Sequence, residues 1–212
     1  STLQHGGVMQ KRLSIATIDT ETIGLQPKNY VYDLGIVFHD KKGNVAGTYN
    51  SLVEEVWCNP KLMMGAFYAG KVFSHYSRML QDGQITIQPW QTIIDDVQAI
   101  IAAHDVGVMA AYNLGFDIGA IKRTSALLGT GPLLPSPNFK LLDIWRFACE
   151  TILQQGNFRQ LAIANGWRSE KGNFRTSAEV AYKYLTRKLE FSESHTALDD
   201  CRIETEILAK CF

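Results

Sequence analysis

A short run of small and β-branched residues, 13–18 (LSIATI), passes directly into Asp19-Thr20-Glu21, and the surrounding IDTETIG contains no lysine or arginine to balance the two acids. The run reads as a buried, central β-strand. Residues at i and i+2 on a strand project to one face, so Asp19 and Glu21 share a side. Two carboxylates held that close repel unless a cation or a proton lies between them. With oxygen donors alone the cation expected is magnesium or manganese rather than zinc. The other reading is a strand that ends here with both acids in water.

The rest of the chain builds a mixed sheet around that strand. Residues 30–38 and 44–53 are β-rich and are separated by HDKKG, in which Asp40 and Gly43 mark a turn, so an antiparallel meander is expected. Over residues 57–80, Met63, Met64, Phe67, Tyr68, Val72, Phe73, Tyr76 and Met79 recur at roughly helical spacing and read as core. Pro89 suits the first turn of a helix through Ile93, Ile94, Val97, Ile100 and Ile101. A strand at 107–112, a helix at 118–128, a loop (GTGPLLPSPN) and a fifth strand at 139–142 follow. An amphipathic helix through Trp145, Ala148 and Ile152 comes next, then helical segments broken near Gly156, Gly166 and Gly172, and a last helix over 195–211. This order gives an α/β fold, a mixed five-stranded sheet with helices on its faces.

Charge and cysteine usage narrow the partners. Lysine plus arginine and aspartate plus glutamate both total 21, which argues against a protein that coats duplex nucleic acid by charge. The distribution is uneven: residues 140–188 hold nine basic and four acidic side chains, residues 189–212 two and six. Cys58, Cys149, Cys201 and Cys211 show no CxxC spacing, and no apolar run is long enough to span a membrane, so a cytoplasmic setting without membrane contact is expected. Residues 1–10, opening with STLQHGG, read as a polar, disordered leader or expression remnant, and 11–212 as one domain.

Two further segments carry candidate chemistry. Asp117, in AAYNLGFDIGAI, follows a strand and enters a helix, where the N-terminal dipole favours its charged form. Asn113, four residues earlier, can bond a phosphate or fix a neighbouring acid. In SESHTALDDCRIETEILA, His195 reads either as a polar end group at a helix boundary or, because an ordinary imidazole titrates near neutrality, as a candidate general base. Helical periodicity does not choose between Asp199 and Asp200 as its partner acid.

Taken in order, IDTETIG, AYNLGFD and HTALDD resemble the three motifs of the DnaQ-like, DEDDh 3′-5′ exonuclease family of the ribonuclease-H-like superfamily, over roughly residues 13–208. The resemblance implies a ribonuclease-H-like fold in which Asp19, Glu21, Asp117 and Asp200 hold two divalent ions, Mg2+ or Mn2+, and His195 activates a water. It selects Asp200 over Asp199. It also implies nucleoside 5′-monophosphate release from single-stranded DNA or RNA with a free 3′ end. By similarity, Thr20, Thr22 and Leu25 would grip or pack against the terminal nucleotide, with Asn113 and Phe116 as further contacts. Residues 166–194 look long for the family, and a helical elaboration beside the site is expected there, with Arg168, Lys171, Arg175, Lys183, Arg187 and Lys188 as possible strand contacts. The alternatives are a nonenzymatic binding module that keeps the fold, and a different two-metal phosphodiesterase.

Overall fold

In the computed structural model, which describes residues 14–24, 27–66, 69–134 and 139–212, the run ahead of the acid pair is β1 (Ser14–Ile23). It lies inside a six-stranded sheet with β2 (Tyr30–His39), β3 (Val45–Val53), β4 (Thr86–Gln88), β5 (Val106–Ala111) and β6 (Lys140–Asp143), in the order β4-β3-β2-β1-β5-β6. β1 pairs antiparallel with β2 and parallel with β5, and β5 pairs parallel with β6. The expected mixed sheet flanked by helices is therefore present, with one strand more than anticipated. β4 is only three residues long and pairs parallel with β3 at the edge. Segments that short carry no readable alternation. The leader expected over 1–10 lies outside the described residues, as does Leu25.

The helices are α1 (Glu54–Trp57), α2 (Pro60–Met63), α3 (Ala69–Gln81), α4 (Trp90–Ala103), α5 (Leu114–Leu128), α6 (Ile144–Glu150), α7 (Gly156–Ala164), α8 (Ala178–Thr186) and α9 (Ala197–Cys211). They pack on both faces of the sheet. Period-two alternation sorts β1 between two cores: Ala16 and Ile18 join Trp90, Ile93 and Ile121 on one face, while Ile15 joins Ile144, Ile203 and Ile207 on the other. Asp19 and Glu21 are in phase with Ile15, so they point to the face that α9 covers.

Several expectations shift. The stripe over 57–80 divides: Met63, Tyr76 and Met79 are buried, whereas Met64 is 89% and Phe73 42% exposed. Phe67 and Tyr68 fall outside the described residues. Pro89 sits one position before α4 as its N-cap, and the Glu55 carboxylate accepts from the Trp90 amide at 3.0 Å. Ala148 and Ile152 are buried as the amphipathic pattern predicts, but Trp145 turns outward.

Only glycine permits the approach of α9 to the sheet. A Cβ on Gly35 of β2 would lie 2.4 Å from the Ala197 carbonyl carbon and the Leu198 nitrogen, both backbone atoms. Gly35 is the β2 partner of Asp19, and its carbonyl accepts from Cys201 Sγ at 3.1 Å. The first turn of α9 thus lies directly beside the acid-bearing end of β1.

Candidate metal centre

The centre forms where β1 ends. A register shift between Glu21 and Thr22 breaks the β1–β2 ladder immediately after the second acid; such bulges re-aim side chains beside a site. Asp19 and Glu21 therefore keep strand alternation, and β1 stays paired with β2 in a shifted register through Ile23.

Asp117 enters from the first turn of α5 and is 3% exposed. Its Oδ1 accepts from the Thr20 amide at 3.1 Å and from Thr20 Oγ1 at 2.7 Å. Thr20 thus directs both its donors to Asp117 and orients that carboxylate. α5 begins four residues before the expected start, because Asn113 takes a left-handed backbone (φ 68°) that ends β5 and opens the helix. Phe116 and Thr22 are half-buried.

His195 also has positive φ (57°) and stands on the loop just before α9. Asp199 and Asp200 then separate by environment. Asp199 Oδ1 bonds Arg202 at 2.8 Å, and its Oδ2 accepts from Thr196 at 3.1 Å and Ser194 at 3.3 Å. Those contacts are local side-chain hydrogen bonds and a surface ion pair. Asp200 is 8% exposed, and its Oδ1 is buried with no hydrogen-bond partner among the described residues. Glu21, His195 and Asp200 each bring one donor atom within 4.8 Å of the others. Asp19 and Asp117 adjoin this trio without joining it: the charges of Asp117, Glu21 and Asp200 all act on Asp19.

Burial and mutual repulsion raise every acid here. Burial pushes Asp19 well above the usual carboxylate range, with Glu204 the largest charge contribution, followed by Asp117. Burial, then Asp33, lifts Glu21 to about 8. Burial, then Glu193 and Glu21, lifts Asp200 to about 9. Asp117 rises to about 7 by burial, opposed by the Thr20 hydrogen bonds. No lysine or arginine ion pair reaches these carboxylates among the described residues. A part-buried, oxygen-rich cluster with an orphaned Asp200 oxygen and one imidazole fits a hard divalent cation.

Two acids in this environment were not anticipated. Glu204 is 4% exposed, lies one helical turn beyond Asp200, and accepts from the Tyr112 amide at 3.1 Å. Burial and then Asp117 raise it well above its ordinary range. Its i+4 spacing from Asp200 was a visible signal for a shared helix face. Asp33, the cross-strand partner of Glu21, receives the Ala197 amide at 3.0 Å and the Tyr76 hydroxyl at 2.6 Å on Oδ2. Nothing in the sequence connects Asp33 to a residue 164 positions away.

The segment before α9 is partly helical, as α8 shows, and several of its cations are already engaged. Lys183 pairs with Glu179 at 2.7 Å, Arg168 lies over the Phe174 ring and Arg187 over Tyr184. No helix among the described residues is long and apolar enough to cross a membrane.

No protein-family model matches this sequence, and no curated protein matches it. Solved structures do match in fold. E. coli exonuclease I in complex with a 5cy-dT13 oligonucleotide superposes with a TM-score of 0.59 at 13% identity, over 94% of this chain and 40% of that one. An apo exonuclease I structure gives 0.53 at 13% identity, over 94% and 42%. Exonuclease I in complex with the inhibitor BCBP gives 0.52 at 15%, over 95% and 42%. The chain spans about two fifths of the length of these exonuclease I chains and shares their fold.

Proposed function

We propose that this chain is a metal-dependent 3′-to-5′ exonuclease of the DEDDh type, acting on single-stranded or short nucleic acid and releasing nucleoside 5′-monophosphates. The observation that supports it is the meeting of Glu21, His195 and Asp200 at the end of β1, with the charges of Asp117, Glu21 and Asp200 acting on Asp19, on a fold shared with exonuclease I. Exonuclease I itself has been solved as an ssDNA complex, and a single strand is the substrate class proposed here. A soluble, cytoplasmic enzyme is part of the same proposal.

Asp19, Glu21, Asp117 and Asp200 would hold two divalent ions. When bound, such ions neutralise nonbridging phosphate oxygens, acidify a water and stabilise the leaving 3′ oxygen. His195 accepts the proton of the attacking water at a ring nitrogen. Thr20 keeps Asp117 in one rotamer through two hydrogen bonds, so that carboxylate is positioned before substrate arrives. Thr22, Leu25, Asn113 and Phe116 would orient the terminal nucleotide, and residues 168–188 the strand behind it.

The test is digestion of 5′-labelled single-stranded DNA, single-stranded RNA, duplex and closed circular DNA with Mg2+ or Mn2+. Stepwise shortening from the 3′ end that needs the metal and spares the circle is expected. Asp200→Asn should cut the rate at least about 100-fold, with Asp199→Asn near wild type. Circle cleavage, or activity that follows Asp199 instead of Asp200, would overturn the reading.

A further inference from the structure

A second feature shares the sheet edge where β1, β5 and β6 end. Tyr112, Asn113, Trp145, Thr176 and Ser177 line an open groove of about 250 Å³. That is below the ~300–1,000 Å³ of pockets for drug-sized ligands, and it suits one flat heterocycle rather than a whole cofactor.

The groove is held rigidly. Trp145 is 40% exposed, yet its Nε1–H donates to Thr176 Oγ1 at 2.9 Å, which fixes the orientation of the indole. The Tyr112 hydroxyl donates to the Thr176 carbonyl, so both aromatic walls are tied to one residue. Asn113 caps no helix amide with its side chain. The groove is also connected to the acids: the Tyr112 amide bonds Glu204, Asn113 opens the helix that carries Asp117, and Trp145 follows Asp143, the last residue of β6, by two.

Charge favours a polyanion here. Arg146 and Arg175, the chain neighbours of Trp145 and Thr176, are exposed and form no ion pair among the described residues. An orientated aromatic face, with arginines next to its residues in the chain, offers the stacking platform and positive charge that hold single-stranded nucleic acid without reading its sequence.

We propose that this groove is a stacking subsite for a nucleobase on the 5′ side of the scissile phosphate of a single strand. The inference rests on the exonuclease reading for its direction, since every base other than the terminal one then lies on the 5′ side. Trp145 supplies the stacking face, and Arg146 and Arg175 meet the flanking phosphates.

Binding of 5′-fluorescein dT8 in calcium, read by anisotropy, tests it together with intrinsic tryptophan emission. Trp145→Ala should weaken dT8 binding about tenfold at unchanged melting temperature. Trp145→Phe should keep affinity within about twofold but lose the emission quench that dT8 produces in the wild type. Wild-type affinity in Trp145→Ala, or an equal quench in the wild type and Trp145→Phe, would overturn the subsite. The emission arm needs no destabilised variant. Tight dT8 binding with no metal-dependent shortening would sink the exonuclease reading while leaving the groove as a single-strand site.

Discussion

The backbone amide of Ala197 donates 3.0 Å to the carboxylate of Asp33, so the helix carrying Asp200 is capped by a strand residue 164 positions earlier. Thr196, the local N-cap, makes no side-chain cap bond. The same Asp33 oxygen receives the Tyr76 hydroxyl from α3. One buried carboxylate therefore fixes where α9 begins, and with it His195 and Asp200.

Asp33→Ala leaves the Ala197 amide and the Tyr76 hydroxyl buried without an acceptor. A loss of about 2 kcal/mol or more in unfolding free energy is expected, together with a smaller metal-induced rise in Tm. Asp33→Asn keeps an acceptor oxygen and should recover most of both. Denaturant titration of the three proteins measures this, and equal losses in Ala and Asn would show that the charge, not the acceptor, is what matters.

Gly35→Ala tests the close approach itself. The added Cβ would meet α9 backbone at 2.4 Å, and a helix backbone cannot move aside as a flexible side chain can. Destabilisation of about 1–3 kcal/mol is expected. Catalysis should suffer more than stability, because the shift carries Asp200 away from Asp19 and Glu21. A folded Gly35→Ala protein with wild-type kcat would contradict this placement.

These two contacts mark the limit of what the chain discloses by itself. The β1 strand, the shared face of Asp19 and Glu21, and the helix carrying Asp117 follow from local periodicity, which is why they were readable. β4 was not, because three residues carry no pattern. Trp145 was misjudged because amphipathic spacing describes a helix face, and an aromatic ring at the edge of that face can turn either way. Asp199 and Asp200 are adjacent and chemically identical; their surroundings separate them, Asp199 bonding Ser194, Thr196 and Arg202 while Asp200 is buried beside Glu21 and His195. Asp33 acts through tertiary partners, which leave no trace in spacing, whereas Glu204 is marked in the sequence only by its i+4 spacing from Asp200.

The raised acids predict an unusual pH response. Glu21, Asp117 and Asp200 titrate near 8, 7 and 9 in the folded chain, above the ~4 of unfolded carboxylates. Between those limits the folded state binds more protons, so the metal-free protein loses stability as pH rises from about 4 to 9. Saturating Mg2+ or Mn2+ replaces those protons, and its stabilisation should therefore be larger at pH 8.5 than at pH 6. Melting curves with and without metal across that range check both signs. A metal-free Tm that climbs towards pH 8.5 would show that the acids are not packed as described.

Glu204 offers the sharpest separation of stability from function. Its Oε2 accepts the Tyr112 amide, while its charge acts on Asp19, Asp117 and Asp200. Glu204→Gln keeps an acceptor for Tyr112 and removes one buried charge from a cluster that already has too many. The metal-free protein should gain about 1 kcal/mol or more at pH 8, with little change at pH 5, where the native acid is already protonated. If Glu204 contributes its charge to holding cations beside Asp19, the same variant should need a higher Mg2+ concentration for half-maximal activity. If it serves only to seat Tyr112, that concentration should stay at the wild-type value while Glu204→Ala, which orphans the amide, becomes the damaging change. Paired Tm and Mg2+ titrations of the Gln and Ala variants distinguish the two, and a Gln variant less stable than wild type at pH 8 would refute the electrostatic account altogether.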